Sequence, residues 1–230
     1  MQDDIASANF IASSELNDSN VYEVRCPKGH QAYVVLQQQK FELLLDIGAC
    51  ALLDGYHREA VSSFSSSLER FREFFIRASF LQNGNTFDDI EAMWKQLAKQ
   101  SERQLGAYTA IYMRECGEVP PSLSSKNVEL RNDVVHRGGI PDRSEAVAYG
   151  EAVRGVVRPA LAVAKAKFSN GVQQLTSQHV IAANLSLGLD AKVATSCMST
   201  ILSLTNCEIS WSERGLEEAL TGLKMWSWPS

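Results

Sequence analysis

The chain has 230 residues, of which 45% are hydrophobic and 21% charged, as is usual for a globular protein with a substantial core. Its net charge of −5 argues against a basic nucleic-acid coat protein but is compatible with a compact basic site. No apolar run reaches membrane-spanning length, and the acidic N-terminus lacks the pattern of a signal peptide. Five irregularly spaced cysteines indicate a reducing compartment. We therefore expect a soluble, cytoplasmic protein with no membrane partner.

The pattern along the chain predicts four segments of a mainly α-helical protein. Residues 1–20 are polar and unpatterned, which is typical of a flexible acidic tail. Residues 21–38 read as a short β-hairpin. Helical periodicity over residues 39–169 predicts a helical bundle, and residues 170–230 are expected to form a C-terminal helical extension.

Within the bundle we expect about five helices. The clearest carries an apolar stripe at steps of three or four residues: Ala60, Phe64, Leu68, Phe71, Phe75 and Ala78. A capping box at Thr86-x-x-Asp89 opens the next helix, which we expect to continue to Met113. A short helix is predicted from Ser125 to His136, and Asp142-x-x-Glu145 caps the last one. Its predicted stripe holds Val153, Val157, Leu161, Ala164 and Phe168.

The C-terminal extension is less regular. Positions 193–204 suit a helix, as do positions 216–223, whereas residues 170–190 match no pattern. Three tryptophans there favour packing on the bundle or on a partner chain: Trp211, Trp226 and Trp228.

The stretch that could carry chemistry is Arg131-Asn132-Asp133-Val134-Val135-His136, followed by Arg137. On an α-helical wheel Asn132 and His136 share a face, whereas Arg131 falls about 140° from His136. A histidine near the end of a helix can act as base or acid, and an arginine can hold a phosphate. This pairing suits cleavage of a phosphodiester. The alternative is a helix surface with ion pairs, on which His136 only caps the helix end.

A helix carrying Arg-Asn-x-x-x-His, followed by glycines and a new helix, resembles the HEPN superfamily (higher eukaryotes and prokaryotes nucleotide-binding). Arg131, Asn132 and His136 match the superfamily's motif in its shortest form, and the segment from Tyr56 to Phe71 resembles an early helix of bacterial members. The resemblance covers roughly residues 40–168.

The resemblance implies a metal-independent endoribonuclease of a toxin or anti-phage defence system. It implies a homodimer with a shared active-site cleft, in which His136 moves protons and Arg131 stabilises the phosphate. Asn132 would orient His136 or bind the phosphate. We expect Arg137 and Lys126 to help bind the RNA substrate. A tyrosine modified in some family toxins is missing, since Gly138 and Ile140 stand there.

Two alternatives stay open. A non-catalytic HEPN-fold subunit could bind RNA, nucleotide or an antitoxin or defence partner without cutting. Cys26 and His30 have the spacing of half a zinc site, but no second pair follows, so we favour a plain hairpin turn and predict no metal and no cofactor. Glu69 and Arg70 are expected on a solvated helix face.

Overall fold

The computed structural model describes residues 14–25, 29–187, 191–197, 200–204 and 215–225. Across these residues the protein is mainly helical, with one small three-stranded sheet, which confirms the predicted secondary-structure class. None of the described helices is long and apolar enough to cross a membrane.

Some sequence-based interpretations fall outside the described residues. These are the turn at Cys26, the three C-terminal tryptophans and most of the acidic tail. Cys50, Cys116 and Cys197 carry free thiols.

The chain divides into two compact units. One comprises Met1–Gln37 with Thr176–Met198, and the other comprises Gln38–Leu175 with Ser199–Ser230. The C-terminal segment therefore contributes to both units.

The smaller unit contains the sheet. Strand β1 (Val21–Arg25) pairs antiparallel with β2 (Gln31–Leu36), as the hairpin prediction requires. A third strand, β3 (Val193–Ser196), pairs parallel with β2. The predicted helix over positions 193–204 is therefore wrong, because residues 193–196 form a strand and the described residues 197 and 200–204 form no helix. The pairing gives these residues backbone partners distant in the chain, which no local period could reveal.

The larger unit is built of helices. Their bounds are α1 (Lys40–Leu53), α2 (His57–Gln82), α3 (Phe87–Leu97), α4 (Ser101–Cys116), α5 (Ser125–Asn132), a π-helical turn (Asp133–Arg137), α6 (Arg143–Lys167), α7 (Ser169–Leu185) and α8 (Leu216–Met225). Helix α7 begins in this unit and continues into the smaller one.

Helix α2 lies at the centre of the larger unit, against α1, α4 and α6. Every residue of its predicted apolar stripe is buried, and so is every residue of the α6 stripe. Aromatic rings join the helices: the ring centroid of Phe75 lies 5.1 Å from those of Tyr108 and Phe168. This core makes α2 a firm base for any polar side chain that projects from its remaining surface.

The helix predicted from Thr86 to Met113 is in fact two helices. The chain extends at Gln100, between α3 and α4. Side chains of α4 then donate to the last carbonyls of α3: Arg103 to Gln96 at 3.2 Å and Gln104 to Ala98 at 3.4 Å. These hydrogen bonds give partners to backbone carbonyls at the end of α3 that would otherwise lack them. The break also turns the N-terminus of α4 towards the site described below.

The predicted capping boxes are both present. Asp89 N donates to Thr86 at the start of α3, and Glu145 N donates to Asp142 at the start of α6. The bonds in the opposite direction, from each cap backbone to the third residue's carboxylate, are also formed.

Two carboxylates of α1 hold the segment 200–204. The backbone N–H of Leu204 donates to Glu42 at 2.9 Å, and that of Ile201 donates to Asp46 at 3.1 Å. Burial raises the pKa of both groups to about 7, although these backbone hydrogen bonds act in the opposite direction. Both carboxyl groups therefore change charge near neutral pH.

Candidate active site

The short helix α5 ends in a π-helical turn instead of a further α-helical one. Ser124 caps its start, accepting from Asn127 N at 3.3 Å. At its end the backbone N–H groups of Gly138 and Gly139 both point to the carbonyl of Asp133. Gly138 takes a left-handed conformation, with φ of 79°, which glycine adopts without strain. The glycines therefore permit this wide turn.

The π turn brings Arg131 and His136 together, which corrects the expectation from the α-helical wheel. In a π turn the residues five apart are neighbours, because the backbone bonds run from residue i to i+5. Arg131 Nη1 accordingly lies 2.9 Å from His136 Nε2. Val134 is fully buried beneath the turn and anchors it to the core. A single chain thus assembles the arginine and the histidine.

Arg131 is held from several directions. Its Nη1 also donates to Asn132 Oδ1 at 3.0 Å, its Nε donates to Ser65 at 3.2 Å and its Nη2 donates to Glu69 at 2.9 Å. Ser65 and Glu69 both project from α2. The rigid core helix therefore fixes the position and plane of the guanidinium.

Glu69 does not lie on the solvated face that the helical pattern predicts. Its side chain is 31% exposed and forms an ion pair with Arg131, which is 23% exposed. Its neighbour Arg70 pairs with Glu73 on the same helix instead. Ser65 and Glu69 are four positions apart, and that spacing on α2 was the signal for a shared face that the sequence interpretation did not use.

The contact with Arg131 fixes the hydrogen-bonding role of one imidazole nitrogen of His136. A guanidinium can only donate hydrogen bonds, so Nε2 of His136 is the acceptor in this contact. His136 is exposed to solvent, so a ligand can reach it.

An open cavity of about 590 Å³ lies over the pair, and we call it the outer cleft. Its lining consists of Lys99, Gln100, Ser101, Glu102, Arg131, Asn132, His136 and Arg137. Of the predicted RNA-binding residues, Arg137 therefore lines the cleft, whereas Lys126 does not. Lys99 was missed, because it lies in the break between α3 and α4 that the helical pattern did not reveal.

A second cavity of about 250 Å³ shares four lining residues with the outer cleft: Ser101, Glu102, Arg131 and Asn132. We call it the inner cavity. It is bounded further by residues of α2, α4, α5 and α6, including Arg72, Leu105 and Tyr149. Burial lowers the pKa of Arg72 and raises that of Tyr149. The two cavities together form one groove along the Arg131 side chain.

The arrangement can bind and polarise an anion. The outer cleft offers three cationic side chains, Lys99, Arg131 and Arg137, beside the imidazole of His136 and the carboxylate of Glu102. Among the described residues, no group of three or more His, Cys, Asp or Glu side chains is placed to hold a metal ion.

Comparison with known proteins assigns the chain to no family. No protein-family model, curated protein or solved structure matches the chain.

Proposed function

We propose that the protein is a metal-independent endoribonuclease of the HEPN type. The observation that supports this most directly is the contact between Arg131 Nη1 and His136 Nε2, at 2.9 Å, in an open cleft. A phosphate-binding cation and an imidazole side by side suit the first step of RNA transesterification, in which the phosphate is held and the 2′-hydroxyl gives up its proton. The proposal also draws on the resemblance of the Arg-Asn-x-x-x-His segment to that superfamily.

In the proposed reaction, an RNA phosphate enters the outer cleft and accepts hydrogen bonds from Arg131. Arg131 Nη1 then turns from His136 to the phosphate, which frees Nε2 to accept the proton of the 2′-hydroxyl. The 2′-oxygen attacks phosphorus as the bond to the 5′-oxygen breaks. The products carry a 2′,3′-cyclic phosphate and a 5′-hydroxyl.

The residues around Arg131 and His136 also have roles in the proposed reaction. The guanidinium stabilises the additional negative charge on the phosphate oxygens in the transition state. Asn132 and Glu69 keep that guanidinium in place, and Arg137 and Lys99 attract the flanking phosphates of the strand. These roles follow from the hydrogen bonds and the lining of the cleft.

The leaving 5′-oxygen needs a proton. We propose that a second copy of the chain supplies it from its own His136 in protonated form, across a cleft shared by a homodimer. The π turn removes one argument for such a dimer, since one chain already unites Arg131 with His136. The need for a second acid–base group remains, and the described groove contains one histidine.

The test is cleavage of total RNA and of transfer RNA by the purified protein in EDTA, together with the His136→Ala variant. We expect the parent to cut and His136→Ala to lose at least about 100-fold in rate. His57→Ala is the matched control, because His57 is another histidine of the larger unit but lines neither cavity. It should cut at the parental rate.

Other outcomes would contradict the proposal. Equal cleavage by the parent and His136→Ala would exclude His136 from the chemistry. Binding of RNA without cleavage by folded parent protein would favour the non-catalytic RNA-binding subunit. We place the protein in a toxin–antitoxin or anti-phage defence system on the resemblance alone, with an antitoxin or defence protein as its partner.

A further inference from the structure

The lining of the inner cavity includes a cationic side chain, Arg72, with one unsatisfied hydrogen-bond donor. Arg72 Nε is buried and makes no hydrogen bond within the described part of the chain. Its guanidinium lies over the ring of Tyr108, with the central carbon 6.0 Å from the ring centroid. A buried donor without an acceptor costs free energy. Arg72 also lines the cavity, so its side chain can present a cation to a ligand there.

The walls of the inner cavity are apolar on several sides. Leu68, Leu105, Leu123 and Val128 line it, together with the ring of Tyr149. Such walls suit a flat, partly apolar group more than a free phosphate. The volume of about 250 Å³ lies below the range of ordinary drug-sized sites and suits one ring system.

The position of the cavity relates it to the strand in the outer cleft. Both cavities share Arg131 and Asn132, so a group in the inner cavity lies beside the phosphate that Arg131 would hold. In RNA that neighbouring group is a nucleobase.

The polar groups indicate which base. Arginine contacts guanine through the O6 and N7 acceptors more often than it contacts any other base edge. Guanine also presents N–H donors, for which the carboxylates of Glu69 and Glu102 supply acceptors in the same cavity. Adenine and cytosine place an amino donor where a guanidinium needs an acceptor, and uracil offers Arg72 a single oxygen on that edge.

We infer that the inner cavity is a guanine-binding subsite, in which Arg72 binds the base on the 5′ side of the phosphate held by Arg131. This inference rests on the proposed function, since it takes that phosphate to be part of an RNA strand. It predicts cleavage on the 3′ side of guanosine.

The test measures binding separately from cleavage. The probes are 3′-GMP, 3′-AMP, 3′-CMP and 3′-UMP, titrated calorimetrically into the full-length protein in EDTA. We expect 3′-GMP to bind at least about tenfold more tightly than the other three nucleotides, because only guanine would accept the charged hydrogen bonds of Arg72. Arg72→Met should abolish this preference and leave the four affinities alike.

Two further variants guard against a folding artefact. Arg72→Lys keeps the charge but loses the planar fork, so it should also lose the preference. Leu105→Trp enlarges a lining side chain that is 39% exposed, and should fill the cavity and weaken 3′-GMP binding without changing any charge. Arg70→Met is the matched control, because Arg70 lies on the same helix but lines a different cavity. It should keep the parental preference.

The outcomes separate this inference from the proposed function. Equal affinities for the four nucleotides, a preference for another base, or a guanine preference that persists in Arg72→Met would overturn it, even in an enzyme that cuts RNA. Equal binding of 5′-GMP and 3′-GMP would assign the cavity to a free guanine nucleotide and overturn the RNA subsite. An Arg72-dependent preference for 3′-GMP over the other 3′-nucleotides and over 5′-GMP supports the subsite, even if no RNA is cut.

Discussion

Arg131 and His136 are five positions apart and in direct contact, with Nη1 of one 2.9 Å from Nε2 of the other. An α-helix would separate them by about 140°. The contact exists because α5 widens into a π turn after Asn132 and ends at two glycines. A local change in helix type therefore builds the candidate site, and the site should be sensitive to changes in that turn.

Gly138→Ala tests this dependence. Gly138 has φ of 79°, where an added Cβ costs about 1 kcal/mol or slightly more. We expect a fall of a few degrees in Tm and a loss of ribonuclease activity of at least about tenfold, because the turn holds His136. Activity assays and thermal melts on the same preparations measure both.

The matched control is Gly84→Ala. Gly84 follows α2 with φ of 87°, and like Gly138 it has open space where a Cβ would stand. It should lower Tm by a similar amount and leave activity unchanged. If both variants lose activity in proportion to their loss of stability, the π turn has no specific role.

The ion pair between Glu69 and Arg131 should matter more for activity than for stability. Both side chains are about a quarter to a third exposed, so solvent weakens the pair and Glu69→Gln should cost less than about 1 kcal/mol of unfolding free energy. We expect kcat to fall about tenfold as the guanidinium loses its orientation. Glu73→Gln, on the same helix but paired with Arg70 and Arg77, should leave kcat unchanged. A larger effect of Glu73→Gln on kcat would contradict the assigned role.

The carboxylates that hold segment 200–204 predict an unusual pH dependence of stability. In the folded protein the pKa values of Glu42 and Asp46 are raised to about 7, whereas their unfolded values lie near 4.5 and 3.8. Between these limits the folded state binds protons that the unfolded state releases, so stability decreases as pH rises and levels off above pH 8. Tm should therefore be several degrees higher at pH 5.5 than at pH 8.

Glu42→Gln isolates the contribution of one carboxyl group. The amide does not titrate, so the slope of Tm against pH between 5 and 8 should become shallower. Glu23→Gln, on a partly exposed side chain of β1 in the smaller unit, should keep the parental slope. A parental slope in Glu42→Gln would show that other groups cause the pH dependence.

The proposed shared cleft of a homodimer predicts that inactive subunits inhibit the active subunits with which they pair. With a tenfold excess of His136→Ala chains and free exchange, about one parental chain in eleven pairs with another parental chain. Activity per parental chain should fall to about a tenth, because the partner no longer supplies the acid. The same excess of His57→Ala chains should cause no loss. Activity that follows the amount of parental chain alone would establish independent monomers.

Much of the fold is encoded locally and could be read from the residues. The stripes on α2 and α6 and the capping boxes at Thr86 and Asp142 depend on neighbours within one or two helical turns. The candidate residues Arg131, Asn132 and His136 were identified in the same way, from one short segment. Such features need no knowledge of the remaining chain.

How the side chains of this segment are arranged in space depends on distant parts of the molecule. The pairing of β3 with β2 joins positions about 160 residues apart, and Ser65 and Glu69 meet Arg131 across more than 60. The π turn combines a buried Val134 with two glycines, a balance of packing and backbone freedom that helical periodicity does not describe. Local pattern selects the candidate residues. Only the packed core, which turns α2 and α5 towards each other, decides that their side chains meet.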